Sequence, residues 1–152
     1  MSGKVTIMRK TKGKGVQGLK DNTNPAATKV GFNKGLGKYP GQNVSIFEVA
    51  MFNEFGTEDM PERPFLRVTV KENRQEYLSI IKNLLNAMLW GKMPADTAIK
   101  ALGLKAVADI KNKIDTLSEP PNADLTVDIK GFDNPLVHTG LMKQSVNFEV
   151  QK

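Results

Sequence analysis

The sequence predicts an α+β fold: a small, mostly antiparallel sheet packed with two main helices and joined by extended arms or loops. Three observations predict it. Two long segments, near 69–89 and 94–117, repeat apolar residues at helical spacing. Short segments toward both ends alternate apolar and polar residues, as half-buried strands do. Glycine and proline clusters separate these segments. At 152 residues the chain reads as one domain over 27–152, preceded by a basic Gly/Lys-rich arm or loop over 1–26 that opens with a short strand.

In chain order, residues 4–9 carry Val5 and Ile7 in partial alternation, which suits that short strand. Residues 10–26 are mostly Gly, Lys, Asn and Thr, with Val16 and Leu19 as large apolar anchors, and read as an exposed loop. Residues 27–32 suit a strand with Val30 and Phe32 on one face. Gly35, Gly37, Pro40 and Gly41 mark a turn. Residues 44–55 carry two signals. Val44, Ile46 and Phe47 favour a strand, whereas Ile46, Val49, Ala50 and Asn53 share one helical face. Gly56 would close a helix there as a left-handed cap. Pro64 pushes Arg63 out of the helical region, so 63–66 is expected to be extended.

The first long helix is expected over about 69–89, with Val70, Tyr77, Ile81, Leu84 and Met88 on one face and Gly91 at its end. The second begins near Pro94 and runs to about 117, with Ile99, Leu102, Ala106, Ile110 and Ile114 in a stripe. Gly103 inside it costs roughly 1 kcal/mol against Ala, which points to a neighbour in close approach. Pro120 and Pro121 break the chain. Leu125, Val127 and Ile129 alternate as a strand or extended arm, 131–135 turns, and residues 142–150, with Val146, Phe148 and Val150 alternating, form a final strand.

Composition excludes several chemistries. There is no cysteine, hence no disulfide, thiol or Cys-based metal site. No apolar run approaches the roughly 18 residues of a membrane span, and the opening residues lack the apolar stretch of a leader. His138 stands alone among histidines. Thr139 and Ser145 nearby do not make a triad with it, so a locally bonded turn residue is favoured over a general base. Glu54, Glu58, Asp59 and Glu62 match no calcium-loop spacing. Gly13, Gly15 and Gly18 lack the Gly-Lys-Ser/Thr ending of a phosphate loop. No catalytic residue, metal or cofactor is therefore expected, and the chain is not read as an enzyme.

The net charge of +6 is unevenly placed. Residues 1–40 hold nine Lys/Arg against one acid, Asp21, while the remainder is slightly acidic. Lys10, Lys12, Lys14 and Lys20 are candidate contacts to DNA or to an acidic partner, with a solvated loop as the other reading. A small nucleic-acid-binding protein acting through this arm is the alternative function. Its mark is DNA binding that falls steeply with salt and vanishes without residues 1–26. The arm lacks aromatic residues for base stacking.

The densest signal lies over 53–67. Asn53-Glu54-Phe55-Gly56-Thr57 is followed by Pro61-Glu62-Arg63-Pro64-Phe65-Leu66-Arg67. Arg63 and Arg67 would pair with Glu54 or Glu62 within the chain, or bridge to a neighbouring subunit. Trp90, Met88 and Met93 would cover the turn between helices, or present a partner patch. With Val30-Gly31-Phe32 before it and Pro135-Leu136-Val137-His138-Thr139-Gly140-Leu141-Met142-Lys143-Gln144-Ser145-Val146 after it, this stretch resembles the neck and tail-completion proteins of tailed bacteriophages. These are the virion morphogenesis proteins of the Mu-like prophage type. The resemblance spans about 27–150. His138, where an acid is commoner, and the basic arm depart from it.

The resemblance implies a structural virion protein at the head–tail junction, assembled in the host cytoplasm. It implies a homo-oligomeric ring, six-fold or twelve-fold, that completes or joins the tail as collar, connector or terminator. Its partners would be neighbouring neck, portal-side or tail-tube proteins, with double-stranded DNA passing through the lumen. Glu54, Phe55, Gly56, Arg63, Pro64, Phe65 and Arg67 would shape a first subunit interface, and Thr139, Gly140 and Leu141 a second. A ring needs head-to-tail contacts of this kind.

Overall fold

The computed structural model describes residues 27–33, 35–121, 128, 131, 136 and 139–151. The expected arm over 1–26, its strand and its lysines, the 125–129 segment apart from Asp128, and His138 lie outside the described residues. Among the described residues the architecture is α+β: five helices and a two-stranded antiparallel sheet. In chain order these are β1 (Ala27–Gly31), α1 (Ile46–Phe55), α2 (Phe65–Glu72), α3 (Arg74–Leu89), α4 (Ala95–Thr116), α5 (Leu141–Ser145) and β2 (Asn147–Gln151).

The sheet joins the two ends of the described chain. Val30 pairs with Phe148 and Thr28 with Val150, and these alternate positions are half-buried while Lys29 and Glu149 between them face solvent. The sheet lies on α4. Gly103 makes that approach possible. A Cβ there would sit 2.6 Å from Cδ2 of Phe148 and 2.9 Å from Oγ1 of Thr28. The glycine that looked costly in a helix is the floor on which the sheet rests.

Helix α1 resolves the two signals of 44–55 in favour of helix. The deciding feature is its start. Ser45 accepts from the Glu48 N–H at 3.1 Å, while the Glu48 carboxylate accepts from the Ser45 N–H at 2.8 Å, a capping box. These bonds hold the exposed Glu48 carboxyl below its ordinary pKa. Just before it, residues 37–46 form a tight turn, with Tyr39 N–H bonded to the Val44 carbonyl and Ile46 N–H to that of Gly37.

Three expectations are corrected by these elements. The first long helix starts at Phe65 rather than near 69, so Phe65 and Leu66 are helical, and only Pro64 and the residues just before it are non-helical. It is also two helices, because Asn73 (φ −90°, ψ 6°) leaves the helical geometry between α2 and α3. Val70 consequently falls off the face shared by Tyr77, Ile81, Leu84 and Met88 and is exposed. Finally, the last strand begins at Asn147, since 141–145 form the short helix α5.

One core holds the fold. Ala50 of α1, Phe65 of α2, Ile110 and Ile114 of α4, Leu136, Met142 of α5 and Val146 bury together. Val30, Phe32 and Leu66 pack against them. The Phe32 and Phe65 rings meet edge to face, centroids 5.9 Å apart. By contrast α3 buries no residue completely. It is tied to α4 by polar links: the Tyr77 hydroxyl donates to Asp109 at 2.9 Å, and Lys105 bridges Asp109 and Glu76. Burial and the Asp109 carboxylate push the Tyr77 phenol well above its ordinary pKa.

Candidate assembly site

The 53–67 stretch folds into a compact corner between α1 and α2. Gly56 turns the chain with φ 72° and ψ 179°, a positive-φ conformation suited to glycine, though not the left-handed helical cap expected from the sequence. A Cβ at Gly56 would lie 2.9 Å from both the Glu62 nitrogen and the Met60 carbonyl oxygen, which are backbone atoms with no freedom to yield. The Thr57 N–H bonds the Met60 carbonyl and the Arg63 N–H bonds that of Asn53, closing the turn.

Helix α2 begins after Pro64, whose side chain cannot cap it. Glu54 supplies the cap from the preceding helix. Its side chain is 2 % exposed, and its two oxygens accept from the backbone N–H groups of Leu66 at 2.8 Å and Arg67 at 3.0 Å. A carboxylate at this end also meets the positive pole of the helix. The Arg67 guanidinium closes the arrangement. Its Nε donates to Glu54 Oε1 at 2.9 Å, and Nη2 donates to the Glu54 carbonyl and to Glu62 Oε2. The same group lies 5.1 Å from the centroid of the Phe55 ring, a cation–π distance.

Arg63 points inward. It is 5 % exposed, and its Nε and Nη2 donate to the carbonyls of Pro120 and Pro121 at 2.9 and 2.6 Å. The planar fork of an arginine suits two successive carbonyls as a lysine would not. Of the two pairings open in the sequence, Arg67 takes the one within the chain, to Glu54 and Glu62 together. Arg63 takes neither carboxylate and clamps the proline-rich break.

The residues assigned to a first interface therefore divide. Glu54, Arg63 and Phe65 are buried within this chain, Gly56 and Pro64 are half-buried, and Phe55 and Arg67 face outward. Met51 and Phe52 of α1 extend that outward face, and sequence reading missed them because the helix there was one of two alternatives. In the second motif Gly140 (φ 73°) starts α5, with Thr139 exposed and its hydroxyl 3.4 Å from the Leu141 N–H. Leu141 is half-buried, and α5 packs on α1. The two motifs thus meet in one body, through Phe65, Met142 and Val146 of the shared core.

The other candidates are quickly placed. Trp90 is exposed, with Met88 and Met93 half-buried beside it. Among the described residues no group of three or more His, Asp or Glu is placed to hold a metal. No described helix is long and apolar enough to cross a membrane. Comparison with protein-family models, with curated proteins and with solved structures finds no significant match.

Proposed function

We propose that this chain is a structural virion protein of the tailed-phage head–tail junction, forming an oligomeric ring that completes or joins the tail and lets the genome pass. The observation that carries the reading is the pair of motifs at 53–67 and 135–146, in that order with a helical pair between them. Residues of both segments converge on one core, so a single body carries both motifs. The corner at Glu54–Arg67 supports an architectural role. Its buried charged groups, Glu54 and Arg63, cap a helix and hold the proline-rich break, while its outward side presents Phe55 beside Met51 and Phe52, with Glu58 and Asp59 following. In this reading the basic first quarter meets the DNA in the lumen, or an acidic surface on the adjoining ring.

The test is electron microscopy of particles made with and without the gene. Full heads and tails that accumulate unjoined in its absence, with the subunit located in the neck density when present, are the expected result. Normally joined particles in its absence would overturn the reading.

A further inference from the structure

Two features of the described surface are not used by the fold. The first is a groove of about 780 Å³ among β1, α2, α3 and α4, with Val30, Val70, Ala106 and Ile110 in its apolar lining. Lys71 and Arg74 stand at the same groove, both exposed and, among the described residues, without an ion pair. Their neighbours are already engaged: Arg67 with Glu54 and Glu62, Lys113 with Glu72, and Lys105 with Glu76 and Asp109.

The second feature is the edge formed by the end of α1 and the turn after it. Met51, Phe52 and Phe55 are 39 %, 43 % and 57 % exposed. Glu58 and Asp59 follow them, exposed and without an ion pair among the described residues. The edge is apolar with unpaired acids, and the groove is apolar with unpaired bases. Arg67 sits between them, its guanidinium over Phe55 and its side chain lining the groove.

We propose that the groove receives the Met51–Phe52–Phe55 edge of a second copy of this chain, with Glu58 and Asp59 meeting Lys71 and Arg74. The proposal rests on the self-assembling reading above and names the contact that would carry it. A second copy is the favoured occupant because each chain offers both halves of the contact, opposite in charge and alike in apolar character. Aromatic side chains seated in a groove supply the affinity of such contacts. The charged rim sets register and partner choice, and makes association weaken with salt.

The experiment uses the full chain and two charge-reversed variants, Lys71→Glu/Arg74→Glu and Glu58→Lys/Asp59→Lys. None of these changes removes an ion pair within the described residues, and circular dichroism melting checks that each variant keeps the wild-type fold. Sedimentation velocity is expected to show each variant alone as a single copy and their equimolar mixture as the wild-type particle. In the mixture, as in the wild type and in neither variant alone, every groove finds an edge of opposite sign. Should a reversed variant fail to fold, Phe55→Ser reads the same contact, with assembly expected to need a higher protein concentration than the wild type. Reversed variants that assemble alone as the wild type does, or a mixture that stays single-copy, would overturn the contact while leaving the ring reading in place. A wild type that stays single-copy at every concentration would overturn both. Loss of binding to DNA or to a foreign acidic protein, with self-association unchanged, would assign the groove elsewhere and also overturn the proposal.

Discussion

Glu54 serves three groups from a buried position. One carboxylate caps α2, receives the Arg67 guanidinium and fixes the angle between two helices. Replacing it with alanine leaves two backbone N–H groups and an arginine without their acceptor. Cap losses of about 1 kcal/mol and charge-assisted bonds of about 1.5–3 kcal/mol combine non-additively here. Glu54→Ala is therefore expected to lower stability by about 2–4 kcal/mol, and Glu54→Gln by less, in urea unfolding monitored at Trp90. Equal stability of Glu54→Ala and wild type would contradict the capping role. The need for such a residue was not legible, since 63–66 reads as extended with the helix opening near 69, and neither was the acid that answers it. Glu54, Glu58, Asp59 and Glu62 look alike in sequence, and only the turn at Gly56 brings Glu54 under α2.

Elements with strong periodicity were the readable ones. The stripe of Ile110 and Ile114 on α4 is buried as its spacing predicts, and strands at both ends follow from alternation, while their pairing at Val30–Phe148 comes from the fold. The α2–α3 break was not readable, because Asn73 interrupts a run of good helix formers without a proline or glycine to mark it. Helix α1 was ambiguous because β-branched and aromatic residues fill it, and the capping box of Ser45 and Glu48 was the overlooked signal. Gly103 was read correctly as a point of close approach, and it yields a prediction for the sheet–helix contact. Gly103→Ala gains about 1 kcal/mol of helix propensity but forces a methyl group against Phe148 and Thr28, an overpacking cost of about 1–3 kcal/mol. Net destabilisation is expected in thermal unfolding. A higher melting temperature would show that the sheet does not lie against α4 as described.

At the scale of the molecule, the chain divides its side chains between two tasks. The core joins α1, α2, α4 and α5 through Ala50, Phe65, Ile114 and Met142, and the buried polar residues among those described, Asn53, Glu54, Arg63 and Thr69, all bond within the chain. Outside that core, α3 buries nothing completely, and Met51, Phe52, Phe55, Val70 and Trp90 remain open. A body that satisfies its polar interior and leaves aromatic and aliphatic edges uncovered is suited to assembly. The fold class was legible in the sequence, whereas the corner that 53–67 forms between α1 and α2 showed there only as a dense stretch of motif residues. Which of those residues face outward required the turn geometry. The central claim is that this chain assembles with copies of itself. It is tested most directly by weighing the purified full-length chain in solution across a range of concentrations and salt. A closed particle of six or twelve copies that loosens as salt rises is expected. A single-copy species at every concentration would contradict it.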